Sequence, residues 1–503
     1  MAGPLEIDGH HLTLEDVERV ARGEIGEVRL APAALGALQT ARRLVEDRIA
    51  RGDRVYGVTT GFGRLAEVVI EPAQRRDLQR NLVRSHACGV GPAVDRAATR
   101  ALMLLRANTL AHGHSGCSRA VVERLLDCLN AGVHPVVPAF GSVGASGDLV
   151  PLAHVALVLI GEGEAEHGGR VVPAAEALHA AHLAPVELAE KDGLSLINGT
   201  QFATALGVLA LLEGERVLEA LEVAGALSLE GLRGSPQPFD ADIQAVRPHR
   251  GQATSAARLR ALLEGSEIRE SHRRGDPRLQ DAYSLRCMPQ VHGAARDALA
   301  YVRHALEIEA NSASDNPLVF ADSGQIKSGG NFHGQIIAQA MDFFAIAMAD
   351  LGAIAERRVE RLLNPDASGL PAFLAGRPGV ESGLMMLQVV VADVLTELRL
   401  LAAPASIHSV PTGAGREDHV SMAPAAARKA QRAAEGLAQI AAIELICAAE
   451  AVDALRPLTT SPALERAHGL VREAVPRLAG DRALSADVRH IGDLVRRGAF
   501  RVT

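Results

Sequence analysis

Residues 141–154 read Gly-Ser-Val-Gly-Ala-Ser-Gly-Asp-Leu-Val-Pro-Leu-Ala-His, and the Ala145-Ser146-Gly147 core can make an electrophile from its own backbone. Glycine has no Cβ and tolerates unusual dihedrals, so a tight bend can bring the Gly147 nitrogen onto the Ala145 carbonyl. Ring closure with loss of water, followed by dehydration of Ser146, leaves a five-membered imidazolone carrying an exocyclic methylene. That group is a strong electrophile. Unmodified side chains are nucleophiles, acids and bases instead. A plainer reading of Gly141, Gly144 and Gly147 is punctuation of a turn before a helix that starts near Asp148 or Leu149.

An amino acid meeting such an electrophile needs a guanidinium for its carboxylate, a base for its β-proton and donors for charge developing on the ring. Arg286, in Gln280-Asp-Ala-Tyr-Ser-Leu-Arg-Cys-Met-Pro-Gln290, offers a fork suited to bidentate capture. Tyr283 lies three residues earlier. The chain has only three tyrosines, and Tyr56 and Tyr283 sit in polar segments bearing glycine or proline, whereas Tyr301 sits in a helical run. A tyrosine serves as a base only where positive neighbours favour its phenolate. Asn198, in Gly193-Leu-Ser-Leu-Ile-Asn-Gly-Thr-Gln201, can donate to an enolate-like oxygen. The alternatives are a surface arginine, structural tyrosines and an ordinary asparagine-glycine turn.

The fourteen-residue segment strongly resembles the aromatic amino acid ammonia-lyases and aminomutases, whose electrophile is 4-methylidene-imidazol-5-one (MIO), formed autocatalytically from Ala-Ser-Gly. Further segments resemble the family in the same order. They are Val55-Tyr-Gly-Val-Thr-Thr-Gly-Phe-Gly63, Asn198-Gly-Thr-Gln201, Tyr283-Ser-Leu-Arg286, Asn311-Ser-Ala-Ser-Asp-Asn-Pro-Leu-Val319, Gly329-Gly-Asn-Phe-His333 and Arg416-Glu-Asp-His-Val-Ser-Met422. The resemblance implies MIO built from Ala145, Ser146 and Gly147 with no external cofactor and no metal. It makes Tyr283 the β-proton base, places Tyr56 near the amino group, and makes Arg286 the carboxylate clamp. Asn198 positions substrate and MIO, Phe332 lies beside the prosthetic group, and Gln280 is an active-site polar residue.

Asn81-Leu-Val-Arg-Ser-His-Ala-Cys-Gly89 is most like the histidine ammonia-lyase branch, which puts His86 at the imidazole-recognition position. Glu417 resembles the glutamate of the same branch. An imidazole can satisfy both a carboxylate and a histidine, whereas a bare phenyl ring leaves a buried carboxylate without a partner. The implied reaction is non-oxidative deamination of L-histidine to trans-urocanate and ammonia, by addition of either the amine or the ring to MIO. Four departures from the pattern, Thr59, Met288, Arg416 and Gly334-Gln-Ile336, leave room for tyrosine or another aromatic substrate, or for a 2,3-aminomutase. Arg416 could pair with Glu417 or point away. Outside enzymes, the alternative is a helical scaffold protein.

These residues must be positioned by a mainly α-helical fold, which the resemblance makes the fumarase/aspartase-like fold with a long central helix bundle. Residues 1–200 read as a mixed α/β region carrying the tripeptide, and 201–503 as the long-helix and oligomerisation region. Leu5 to Ile7 and Val28 to Leu30 read as extended, Thr13 and Asp16 have capping-box spacing, and Ala33 to Ile49 reads as an amphipathic helix. Residues 56–63 are a glycine-dense loop, and Gly161 to Arg170 a hairpin or surface loop. Ala294 to Ala310, Phe332 to Leu363 and Ala423 to Leu455 read as helices, the last two of about 30 residues and roughly 45 Å. Residues 366–380 and 402–415 are loops that contact other subunits or move.

At 503 residues the chain is long enough for a large core, and 48% hydrophobic with 22% charged is ordinary for a globular protein. A net charge of −8 gives no basic footprint for nucleic acid. Five cysteines without CxxC spacing argue against a disulfide framework and a cysteine zinc site, and no secretory signal is visible, which together read as a reducing cytoplasm. The best transmembrane candidate, Gln335 to Leu351, carries Asp342 and Asp350, so a buried helix is the simpler reading. Dinucleotide and Walker A fingerprints are absent. The resemblance implies a homotetramer whose sites draw residues from more than one chain.

Overall fold

The computed structural model describes residues 3–276 and 278–501. Its fold is mainly α-helical with a long central helix bundle. Strands are short, two to four residues each. Leu5–Ile7 pairs in parallel with Val28–Leu30, and between them Thr13 caps the Leu14–Ala21 helix by accepting from the Asp16 N–H at 3.1 Å. Pro32 opens the next helix, Pro32–Ala50, where a missing N–H costs nothing. The insert read as a hairpin or surface loop is a hairpin: Glu164–His167 pairs with Arg170–Pro173 around Gly168 and Gly169, whose φ values of 60° and 78° suit the tight turn.

The chain divides into two compact units. The first comprises Met1–Leu209, Arg303–Met341 and Pro404–Arg428. Its Arg96–Ala111 helix is buried from Ala98 onward and carries polar side chains, Arg106 and Asn108, that tie down neighbouring loops. The second comprises Ala210–Val302, Asp342–Ala403 and Lys429–Thr503, and long helices dominate it. Its core holds a buried network drawn from four of them. The Arg358 guanidinium donates to Glu444 at 2.8 Å, Ser228 donates to the same carboxylate at 2.8 Å, and neutral His292 lies beside the arginine. Burial and the arginine charge together hold the His292 pKa well below that of a free imidazole.

The long helices are Gln201–Gly231, Met288–Ala310, Gln335–Leu363 and Ala423–Asp453. Met288–Ala310 starts six residues before the expected Ala294 because Pro289 falls in the first turn, where proline is tolerated. Gln335–Leu363 starts three residues later than Phe332, since Asn331 to His333 form a turn closed by the His333 N–H on the Gly330 carbonyl at 2.9 Å. Among the described residues this helix alone is long and apolar enough to cross a membrane, and 67% of its most apolar window is buried inside the protein.

Candidate active site

The tripeptide loop leads directly into the Leu149–Leu159 helix, as expected. Gly147 pairs backbone to backbone with Gly199, and the Asp148 N–H donates to the Gly199 carbonyl at 2.6 Å. Gly147 has φ +74°, and a Cβ there would lie 2.3 Å from the Gly199 oxygen, so only glycine fits. The far end of the loop is equally fixed. The Gly144 carbonyl accepts from Ser421 Oγ at 3.0 Å and from the Gly334 N–H at 3.3 Å. Asp148 is fully buried, accepting from Ser142 Oγ at 3.0 Å and from the Ala203 N–H at 2.8 Å. Burial pushes its carboxyl up to about 6.

Asn198 caps the Asp192–Ile197 helix, and its surroundings are frozen by buried charge. Lys191 donates to Asp315 at 2.8 Å and to Ser195 Oγ at 3.0 Å, with both charged side chains inaccessible to solvent. Arg106 donates to Gln201 Oε1 at 2.7 Å and to the Ser195 carbonyl. Gln79 ties this segment to the Tyr56 loop, donating to the Gly57 carbonyl at 3.2 Å and accepting from the Leu194 N–H at 3.3 Å. In that loop the Gly63 N–H donates to Tyr56 Oη at 3.0 Å.

A cavity of about 600 Å³ opens between these segments, entirely within the first unit. Tyr56, Ala145, Ser146, Asn198, Phe332 and Glu417 all face it, so six predicted site residues share one space. Two polar atoms there are buried without a partner, Asn198 Oδ1 and Glu417 Oε2. Glu417 Oε2 is turned toward Gly413, where a Cβ would stand 1.4 Å from it, so glycine is required beside the carboxylate. Arg416 also faces the cavity, and among the described residues no ion pair joins it to Glu417.

His86 ends the Arg75–His86 helix and is not part of the cavity wall. It lies seven residues after Gln79, on the same helix face. Its Nδ1 donates to the Leu82 carbonyl at 2.8 Å, and burial lowers its pKa, so the neutral ring presents Nε2 as an acceptor. Gln280, Tyr283 and Arg286 belong to the second unit and cluster together. Arg286 donates to Gln280 Oε1 and sits 5.7 Å from the Tyr283 ring centroid. Gln280 and Arg286 line a cavity of about 510 Å³, while Tyr283 is 75% exposed. A larger cavity in the second unit, about 810 Å³, has an apolar wall of Met386, Leu387, Val390 and Val488.

Sequence reading did not single out Asn316, Ser328, His333, Asp418 or His419, which also face the first cavity. Three of them lie in the quoted segments beginning at Asn311 and Arg416, and His333 ends Gly-Gly-Asn-Phe-His. For those four, position in the segments was the available signal; Ser328 lies outside them. Of the four departures, Thr59 is a loop stitch, accepting from the Val55 N–H and donating to the Asp53 carbonyl, each at 2.8 Å. Met288 is fully buried, with its sulfur packed against Gly225. Gly334 allows close approach, since a Cβ there would lie 2.8 Å from the Ala423 Cβ.

The protein belongs to the aromatic amino acid lyase family, whose model matches residues 12–473, and thus to the MIO-dependent ammonia-lyases and aminomutases. A histidine ammonia-lyase of Anaeromyxobacter dehalogenans (strain 2CP-C) is 52% identical over 506 residues, covering 99% of both chains. The structure of histidine ammonia-lyase from Trypanosoma cruzi superposes with a TM-score of 0.92 at 39% identity, covering 99% of this chain and 94% of that one. Tyrosine aminomutase from Streptomyces globisporus gives a TM-score of 0.93 at 41% identity, covering 99% of this chain and 98% of that one.

Proposed function

We propose that this chain deaminates L-histidine to trans-urocanate and ammonia, with MIO formed from Ala145, Ser146 and Gly147. The observation that carries the substrate assignment is Glu417, a carboxylate residue lining the same cavity as Ser146. An imidazole N–H satisfies a carboxylate there, while a phenyl ring in its place leaves the carboxylate without a donor, at a cost of about 1–3 kcal/mol or more. His86, a neutral acceptor, is the second ring-recognition residue in this reading.

The tripeptide's surroundings fit the prosthetic group. Gly147 is held against Gly199 where no side chain fits, Gly144 is clamped by Ser421 and Gly334, and Ser146 faces the cavity. When formed, the group supplies an electrophilic carbon for the substrate. Arg286 holds the substrate carboxylate, with Gln280 fixing the guanidinium. Tyr283 removes the β-proton, whose electron pair becomes the new double bond as the C–N pair leaves with nitrogen. Tyr56 orients the amine, Asn198 positions substrate, and Phe332 packs beside the group. Tyr283 is exposed, so a second copy of the chain can meet it without rearrangement. That supports assembly as a homotetramer with shared sites. The five cysteines are all free thiols, in keeping with a cytoplasmic enzyme.

Purified protein incubated with histidine, tyrosine or phenylalanine, with products identified by mass and chirality, tests the proposal. Urocanate from histidine is the expected product. A β-amino acid would move the assignment to an aminomutase, the activity of the Streptomyces relative. Ser146→Ala removes either activity.

A further inference from the structure

An α-ammonium group is no nucleophile, so the site needs a group that takes its proton before the amine can react. We propose that His333 is this acceptor, through Nδ1, and that it returns the proton to the departing ammonia; the proposal rests on the amino acid lyase reading above. His333 faces the same cavity as Ser146, Tyr56 and Asn198. It is held on three sides. Its N–H donates to the Gly330 carbonyl at 2.9 Å, the next residue's N–H donates to the Gly144 carbonyl at 3.3 Å, and its Nε2 lies 3.2 Å from the His419 carbonyl. A carbonyl oxygen only accepts, so Nε2 carries the hydrogen, and in the neutral ring Nδ1 keeps a lone pair. The His419 ring stacks alongside, with centroids 5.8 Å apart and planes 11° from parallel.

The other groups facing the cavity are less suited. Tyr56 Oη already accepts the Gly63 N–H. Glu417 is reserved for the substrate ring, and a guanidinium such as Arg416 has no lone pair to offer. Asp418 is a carboxylate, poorly matched to an ammonium proton, and the His419 ring is exposed. In the step itself one N–H bond of the ammonium breaks and one Nδ1–H bond forms. The amine gains a lone pair, and the same proton leaves later as part of ammonium, so nothing is consumed.

His333→Gln keeps an N–H for the His419 carbonyl and removes the base. With whichever aromatic amino acid the wild type converts, the variant's kcat/KM should fall about a hundredfold at pH 7 and approach wild type as pH nears that of the free amine. On a Ser146→Ala background, where no electrophile forms, His333→Gln should weaken binding of that amino acid about fivefold or more, and leave binding of the same acid lacking its amine unchanged. A loss equal at every pH, or equal effects on the two ligands, overturns the role of His333 alone. Failure of the wild type to convert any of the three amino acids overturns both this role and the lyase reading.

Discussion

Glu417 and Asn198, lining the cavity beside Ser146, set what it asks of a ligand. Glu417→Gln removes the charge and keeps the shape, so kcat/KM for histidine should fall about 10- to 100-fold, the value of a charge-assisted hydrogen bond, while any residual phenylalanine activity stays unchanged. Steady-state kinetics on both substrates checks this. His86 gives a pH signature. Burial lowers its pKa, so its contribution to stability is complete above the ordinary imidazole value near 6.5 and is lost as pH falls through the lowered one. Thermal midpoints should therefore drop more between pH 7 and pH 5 in wild type than in His86→Gln. At this scale the sequence was informative wherever chemistry restricts the residue type, as at Ser146, Tyr56 and Glu417. It placed His333 and His419 in family-like segments but gave them no role, because a histidine's role depends on which nitrogen its neighbours occupy, and that needs three dimensions. Arg416 was ambiguous for the same reason.

The segments that carry the site are held by a few buried polar ties. Lys191 and Asp315 fix the turn before Asn198 from a solvent-free position. Lys191→Met should destabilise the protein by about 3–5 kcal/mol by stranding the carboxylate, and adding Asp315→Leu should recover most of that loss, read as midpoints in urea. Gly334→Ala introduces a methyl 2.8 Å from the Ala423 Cβ and should shift the turn carrying Phe332 and His333. Its expected mark is a lower kcat with substrate preference unchanged. The Leu5–Ile7 and Val28–Leu30 strands, the Thr13 cap and the 164–173 hairpin were legible because their signals are local, whereas strands such as Val90–Ala93, paired with the distant Pro138–Phe140, were not read. The 31-residue Gln201–Gly231 helix was not marked out as a long one, since Gly207, Gly214 and Gly225 interrupt its pattern. Those glycines are packing sites: a Cβ at Gly214 would lie 2.6 Å from the Phe344 ring, and one at Gly225 would lie 2.5 Å from the Met288 sulfur. Non-local packing of this kind leaves no periodic trace.

At the scale of the molecule, the predicted residues fall into two groups, one around Ser146 in the first unit and one around Arg286 in the second. Their recognisable order along the chain made the family legible, but order says nothing about which copy supplies each residue. Co-expression of Ser146→Ala with Tyr283→Phe tests shared sites. Each variant is inactive alone, and random mixing should restore about a quarter of the sites if the two residues come from different chains, and none if they come from one. Everything further depends on whether residues 145–147 close into a ring. The protein has no tryptophan, so an absorbance that vanishes in Ser146→Ala would be readily visible, but mass is more direct. The peptide spanning residues 141–154, taken from the mature protein, should weigh two water molecules less than its sequence requires; a peptide of full mass would contradict the account.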